Sequence, residues 1–536
     1  MTDARLFLSG NEAVACAAYD AGVMLGTGYP GTPSTEILEH FSALGGKAQW
    51  APNEKVALET AIGAAFGGGR AIATMKHVGL NVAADPFFSV AYIDVTGALI
   101  VVSADDPGMS SSQNEQDNRH YAKAAGIPLL EPADSQEAYD FTAKAIAVSE
   151  RWRIPVLLRL TTRVCHSKSI ILRGSPPHPA AAPFFQRDIK GRVMIPANAG
   201  GGHRKLRAKL NAIAAWNENS GLNIRIPGDP SLGIVASGIA YMHAREAAPR
   251  AGFLKIGMAY PLPVETIRSF VNQAKRAVVI EEGDPWLVEA IRAAGISVEG
   301  KAEMYRFGEL NVDRVRRILA RDSSPEPVRP AGKPPQLCPG CPHRAVFETL
   351  RDLDCIVAGD IGCYTLGALP PFEALDSFVC MGASIGTGLG LRHVLPAEQA
   401  QRVVSVIGDS TFMHSGITGL VEMVYNPPAS GHVVIILDNG TTAMTGLQEH
   451  PGTGRTLARK PTEKIIPEDL AKAIGIRRVH VTDPTADRGA FKKILSASLT
   501  GRELVLIVVR RPCVLSAKLI REQGGRPPAS SASKKP

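Results

Sequence analysis

Short runs of apolar residues alternate with helix-compatible stretches through most of the chain. The runs 71–75, 97–103 and 154–160 are mostly apolar rather than apolar at every second position, as expected for strands covered on both faces. A stretch rich in small residues, 56–67, precedes the first of them and predicts a helix. Strand and helix in alternation predict a parallel sheet wrapped by helices. The pattern returns at 403–407, 433–437 and 504–509, with a helix expected over 416–425. A shorter unit between them has strand-like runs at 232–237 and 277–280, after a basic helical segment over 205–217.

Breaks in this pattern predict the domain limits. Prolines 325, 327, 330, 334 and 335 remove backbone donors and forbid a helix, so 321–337 reads as an extended linker. A Pro- and Gly-rich connection is expected over 176–227, joining a first domain (1–175) to a small α/β domain (228–320). A last α/β domain spans 338–520, and a disordered tail is expected over 521–536. The fold class is α/β, with two large parallel-sheet domains and a smaller α/β domain between them.

The chain has 536 residues, 21% of them charged, and a formal charge of +8. The basic residues are scattered, which points to solvated faces and not to a nucleic-acid groove. No apolar run reaches the roughly 20 residues that span a bilayer, and Met1-Thr2-Asp3-Ala4-Arg5 lacks the plan of a secretory signal. A cytoplasmic protein is expected. Eight cysteines are too few for a disulfide framework in so long a chain, so their grouping carries the interest.

Two predicted strands end in sequences with chemistry. One is followed by Gly408-Asp409-Ser410, the other by Asp438-Asn439-Gly440-Thr441. Each alone is an ordinary turn sequence. Together they place hard oxygen donors at the carboxyl edge of a sheet, where α/β proteins bind ligands and where Mg²⁺ completed by phosphate oxygens is at home. Gly408 permits close backbone approach, and the next helix offers amide donors to an anion. About thirty residues separate the two, a spacing that resembles the thiamine-diphosphate signature of Gly-Asp followed by a distal Asn. The resemblance implies Asp409, Asn439 and the carbonyl of Thr441 as Mg²⁺ ligands; Ser410 stands where a third glycine is usual. Residues 381–391 form a glycine-rich segment that packs near the cofactor or simply packs a helix tightly.

Thiamine chemistry also needs a buried glutamate against the aminopyrimidine ring, favouring the imino form whose nitrogen takes the thiazolium proton. Glu54, at the entry to the helix expected over 56–67, fits that role; a first-turn acid on a helix dipole is the plain alternative.

Five motifs then occur in an order that resembles the alpha subunit of the indolepyruvate ferredoxin oxidoreductase family: residues 29–36, Asn53-Glu54, Cys338-Pro339-Gly340-Cys341-Pro342-His343, Asp360-Ile361-Gly362-Cys363 and 438–446. The match runs to about Cys513. It implies a pyrimidine-type domain at 1–175 and a diphosphate-type domain at 338–520. It also implies Thr32, beside Gly31 in the Tyr29-Pro30-Gly31-Thr32 loop, at the substrate carboxylate or cofactor, and Arg119 as the nearest candidate for a substrate-binding arginine, a helix-surface arginine being the other reading. Cys338, Cys341, Cys363 and Cys513 correspond to ligands of one [4Fe-4S] cluster. A structural Cys-x-x-C turn with buried thiols remains the other reading of these four.

The resemblance implies oxidative decarboxylation of indolepyruvate or another aryl-pyruvate to an acyl-CoA, with a beta subunit and with ferredoxin or a separate electron-transfer subunit as partners. A dimer of heteromers is expected. Alpha subunits of the family continue into a ferredoxin-like domain, whereas this sequence ends in a Pro/Ser/Lys tail. Non-oxidative thiamine-dependent decarboxylation or carboligation, and a non-catalytic scaffold, stand as alternatives.

Overall fold

A computed structural model describes residues 4–174, 182–327 and 334–516. They fall into two compact units, Met1–Pro327 and Val328–Pro536, whose division lies inside the proline-rich stretch. Residues 328–333 of that stretch, 175–181 of the expected connection, and the tail lie outside the described residues.

The first unit contains a seven-stranded sheet. Its order is Met258–Tyr260, Leu129–Leu130, Val156–Thr161, Leu99–Asp105, Ala71–Lys76, Leu25–Gly28 and Ala48–Trp50. All neighbours are parallel except the first pair. Every residue of Leu99–Asp105 and of Val156–Thr161 is buried, which is why these strands read as mostly apolar runs, with Arg159 and Asp105 paired inside. Leu25–Gly28 has no such run, because its glycines make room for neighbours instead. A Cβ on Gly26 would meet Leu38 at 2.8 Å, and one on Gly28 would meet the Thr74 carbonyl at 2.6 Å.

A second sheet in this unit runs Ala277–Ile280, Asp229–Ser237, Ala251–Ile256 and Ile224–Ile226, the last strand antiparallel. The segment expected as a separate small domain does not close on itself, since Met258–Tyr260 extends the large sheet. The expected connection contains a 22-residue helix, Pro196–Asn217.

Ionic groups join the two sheets of this unit. Arg159 bonds Asp105 at 2.6 Å and Glu131 at 2.5 Å, and Arg119 bonds Glu281 at 2.8 Å. Lys301 donates to the Glu281 carbonyl at 2.5 Å. Carboxylates outnumber cations here, and burial pushes Glu282 up to about 7 although Arg159 and the Leu310 N–H favour its charged form. The folded protein therefore holds a proton on Glu282 that the unfolded chain releases above its ordinary value of 4.5. Stability is lost as pH rises between those two values and stays lost above them. Glu282→Gln is expected to raise stability at pH 8 by up to roughly 3 kcal/mol and to leave it nearly unchanged at pH 4. Urea midpoints at the two pH values check this; an equal effect at both would remove the titration from the account.

The second unit is built on a five-stranded sheet, Ile356–Ala358, Val403–Gly408, His432–Asp438, Leu504–Arg510 and Arg478–Thr482, parallel throughout. Side chains alternate across it. Val433, Ile435 and Leu437 join one core with Phe347 and Phe491, whereas Val434 and Ile436 join another with Ile385 and Leu420. The glycine-rich segment forms the helix Ala383–Val394, and Gly388 rests on the Ser405 hydroxyl with no room for a Cβ. Among the described residues no helix is long and apolar enough to cross a membrane.

Candidate active site

In the second unit, the strands Val403–Gly408 and His432–Asp438 run in parallel register, with Gly408 opposite Leu437. Both end at the same sheet edge, which brings Asp409 and Asn439 together. A Cβ on Gly408 would meet the Tyr364 ring at 2.7 Å, so only glycine fits there. A helix starts at once with Asp409–Thr411 and passes through a single π turn, Phe412–Gly416, before Ile417–Tyr425. Such turns recur at functional sites.

Asp409 is buried, and both of its oxygens accept hydrogen bonds. Oδ1 takes the Ser410 N–H at 2.9 Å, and Oδ2 takes the Gly440 N–H at 2.8 Å and lies 3.2 Å from His450 Nε2. The Gly452 N–H donates to His450 Nδ1 at 3.1 Å. That leaves Nε2 as the nitrogen that donates to Asp409. Burial alone would raise the Asp409 carboxyl, but His450 and the backbone donors hold it below the usual range. Asp438 next to it is pushed up, by burial first and then by the charge on Asp409. Its Oδ2 is occupied by Arg510 Nε at 2.6 Å.

Asn439 is likewise fixed at both ends of its amide. Oδ1 accepts the Thr441 N–H at 3.1 Å, and Nδ2 lies 3.4 Å from Nε2 of His343. Burial depresses His343 to about 4, so its ring is neutral near pH 7 and accepts from the amide. The Thr442 hydroxyl is buried with no partner. This donor set fits Mg²⁺ and a diphosphate: one carboxylate, one amide oxygen, peptide carbonyls and an uncommitted hydroxyl, with backbone N–H groups beside them. Among the described residues no group of three or more His, Cys, Asp or Glu side chains could hold a metal by itself.

The cysteines of the second unit also gather. Cys338 and Cys341 close a tight turn through a Cys341 N–H to Cys338 carbonyl bond of 3.1 Å, with Gly340 at φ +74. Cys513 follows the strand Leu504–Arg510, and its N–H donates to the Asn439 carbonyl at 3.0 Å. Burial pushes Cys341 up to about 11, and the neighbouring Cys338, Cys363 and Cys513 add to it; Cys363 is pushed up to about 11 in the same way. Cys338, Cys363 and Cys513 thus all lie within electrostatic reach of Cys341.

In the first unit, Glu54 is the first residue of the helix Glu54–Phe66, capped by Asn53, whose side chain accepts the Val56 N–H at 3.0 Å. Glu54 is only 5% exposed, unusual for a glutamate at a helix start. Its carboxyl lies flat on Gly79, where a Cβ would stand 2.5 Å from Oε1. Gly79→Ala must displace that carboxyl by about an ångström. We expect the melting temperature to hold while the turnover number falls about a hundredfold; an unchanged turnover number would mean that the carboxyl position is immaterial. Thr32 lies in the loop after Leu25–Gly28, next to Gly31, whose carbonyl accepts both the Ser34 N–H and the Ser34 hydroxyl.

Arg119 lies elsewhere. It is 1% exposed, its guanidinium is shared among Asp117, Glu281 and the Glu282 carbonyl, and it stacks over Trp286 at 5.3 Å. It joins the two sheets of the first unit, which corrects the expectation that it meets substrate. Three residues near the candidate sites carried no role in the sequence reading. His343 stood in a quoted motif, His450 had only its His450-Pro451-Gly452 turn as a signal, and Asp360 accepts the N–H groups of Ile361, Gly382 and Ser384 at 2.9, 2.8 and 3.0 Å.

Comparison with known proteins agrees with this geometry. Residues 16–173 match the family described as pyruvate flavodoxin/ferredoxin oxidoreductase, thiamine diP-binding, and residues 360–509 match the C-terminal TPP-binding domain of thiamine pyrophosphate enzymes. Indolepyruvate oxidoreductase subunit IorA of Archaeoglobus fulgidus is 39% identical over 97% of this chain and 88% of its own length. The subunit of the same name from Methanothermobacter thermautotrophicus is 40% identical over 99% and 90%. Among solved structures, the 2-oxoglutarate:ferredoxin oxidoreductase of Magnetococcus marinus aligns with a TM-score of 0.50 at 18% identity, over 60% of this chain and 65% of that one. That likeness concerns the fold.

Proposed function

The chain belongs to the indolepyruvate oxidoreductase IorA family, and on that footing we propose that it carries out the thiamine-diphosphate-dependent oxidative decarboxylation of an aryl-pyruvate such as indolepyruvate. The 2-oxo acid anion and the CoA thiol become an acyl-CoA, CO₂, one proton and two electrons. The observation that carries the reading is the pairing of Asp409 and Asn439 at adjacent strand ends, each fixed by a buried histidine.

Asp409, Asn439 and the Thr441 carbonyl are the residues that would hold Mg²⁺, with Gly408 and Ser410 beside the diphosphate. The cofactor supplies the electron sink for decarboxylation. Glu54 holds a proton at the aminopyrimidine, and Gly31 and Thr32 border the substrate. Cys338, Cys341, Cys363 and Cys513 would hold one [4Fe-4S] cluster that accepts the electrons singly. A beta subunit completes the enzyme, ferredoxin or another separate carrier takes the electrons, and a dimer of such heteromers works in the cytoplasm.

The test is an anaerobic assay of the complex purified with its partner subunit. Indolepyruvate, CoA and a viologen dye should yield CO₂, thioester and reduced dye in a ratio of about 1:1:2, each viologen taking one of the two electrons. CO₂ release that needs neither CoA nor dye would overturn the oxidative reading in favour of simple decarboxylation.

A further inference from the structure

A 2-oxo acid brings a carboxylate to the site, and with Arg119 committed inside the protein the basic residue to consider is another one. Lys76 ends the strand Ala71–Lys76 at the carboxyl edge of the seven-stranded sheet, where ligands of open α/β sheets bind. Its neighbours there are the loops that carry the other unit 1 candidates. The Lys76 stem lies against Gly31, next to Thr32, with room for no larger residue: a Cβ on Gly31 would stand 3.0 Å from the Lys76 Cβ. On its other side, the helix His77–Val82 begins directly after Lys76 and presents Gly79 to the Glu54 carboxyl.

The ammonium is held but not neutralised. Nζ donates to the Ser111 carbonyl at 2.5 Å. Asp106 attracts it through space but spends its own oxygens on Ser111, Ser112 and Thr162, at 2.8, 2.6 and 2.9 Å. An ammonium has three protons to donate, so one carbonyl leaves two for an incoming anion. Burial pulls Lys76 down to about 8, against the pull of Asp106, which shows how little solvent supports the charge there. A half-buried cation of this kind gains most from a carboxylate that displaces the remaining water.

We propose that Lys76 binds the carboxylate of the 2-oxo acid and holds it beside the Gly31-Thr32 loop. The proposal rests on the reading of the substrate as a 2-oxo acid. Lys76 is then a specificity residue: it selects a 2-oxo acid over the aldehyde or ketone of the same side chain. After decarboxylation its partner has left as CO₂, so the same contact does not retain the acyl product.

Lys76→Met in the complete enzyme tests this. The KM for indolepyruvate should rise about a hundredfold with turnover number nearly kept, as for loss of one charge-assisted contact of about 3 kcal/mol. The KM for CoA should stay as it is, and Lys76→Arg should restore most of the loss. Thiamine-diphosphate affinity and deuterium exchange at its thiazolium carbon, both measured without 2-oxo acid, should match wild type. A wild-type KM in Lys76→Met overturns the proposal, as does a loss confined to turnover number. Failure of the wild-type enzyme to bind thiamine diphosphate would instead overturn the functional reading beneath it. Should Lys76→Met not fold, the native enzyme gives the answer: phenylpyruvate must protect Lys76 from amine acylation followed by mass spectrometry. Acylation at the same rate with and without phenylpyruvate overturns the proposal.

Discussion

Asp409→Ala is expected to weaken thiamine-diphosphate binding in the presence of Mg²⁺ about a hundredfold, the result of losing a charged contact of about 3 kcal/mol, and to abolish turnover at ordinary cofactor concentrations. Three groups depend on this carboxylate: the Ser410 and Gly440 N–H donors and His450. Removing it leaves the Gly440 N–H and the His450 ring to reorganise, the loop 438–441 loses its anchor to the neighbouring strand end, and a metal held as proposed would lose its one anionic protein ligand. Isothermal titration with cofactor and Mg²⁺ checks the effect, with circular dichroism to establish that the sheet survives. Equal affinity in the variant and wild type would remove the metal assignment altogether.

Glu54→Gln should behave in the opposite manner: cofactor affinity close to wild type, turnover lower by about 10² to 10⁴, the range for loss of a positioned proton carrier. The amide fills the same space against Gly79, so the loss is one of proton exchange and not of packing. The direct readout is deuterium exchange at the thiazolium carbon of bound thiamine diphosphate, which should slow by a similar factor. Exchange at the wild-type rate would reduce Glu54 to a capping acid at the start of its helix. The two variants thus separate holding the cofactor from activating it.

Much of this was legible in the chain. Buried strands read as mostly apolar runs, and the turn sequences that follow 403–407 and 433–437 come together at one sheet edge. Leu25–Gly28 was not legible, because a strand made of Leu-Gly-Thr-Gly owes its place to the side chains of Leu38, Phe41 and Thr74 that fill the space over its glycines. One link of the small domain to the first was not legible either. Pairing of Met258–Tyr260 with Leu129–Leu130 is a long-range choice that no local pattern encodes.

The sequence by itself determined the α/β class and the parallel sheets, which follow from local periodicity, and through residue types at a fixed spacing and a family resemblance it pointed to Asp409, Asn439 and Glu54. Only the tertiary structure decided which cation is available for a substrate. Arg119, at a helix start, and Lys76, at a strand end, look alike as basic residues in sequence, and their roles part because Arg119 is folded onto Glu281, more than 150 residues away in sequence, while Lys76 meets a backbone carbonyl and a carboxylate already engaged elsewhere. Pairing across such distances is a property of packing, and packing also placed His343 beside Asn439 and His450 beside Asp409.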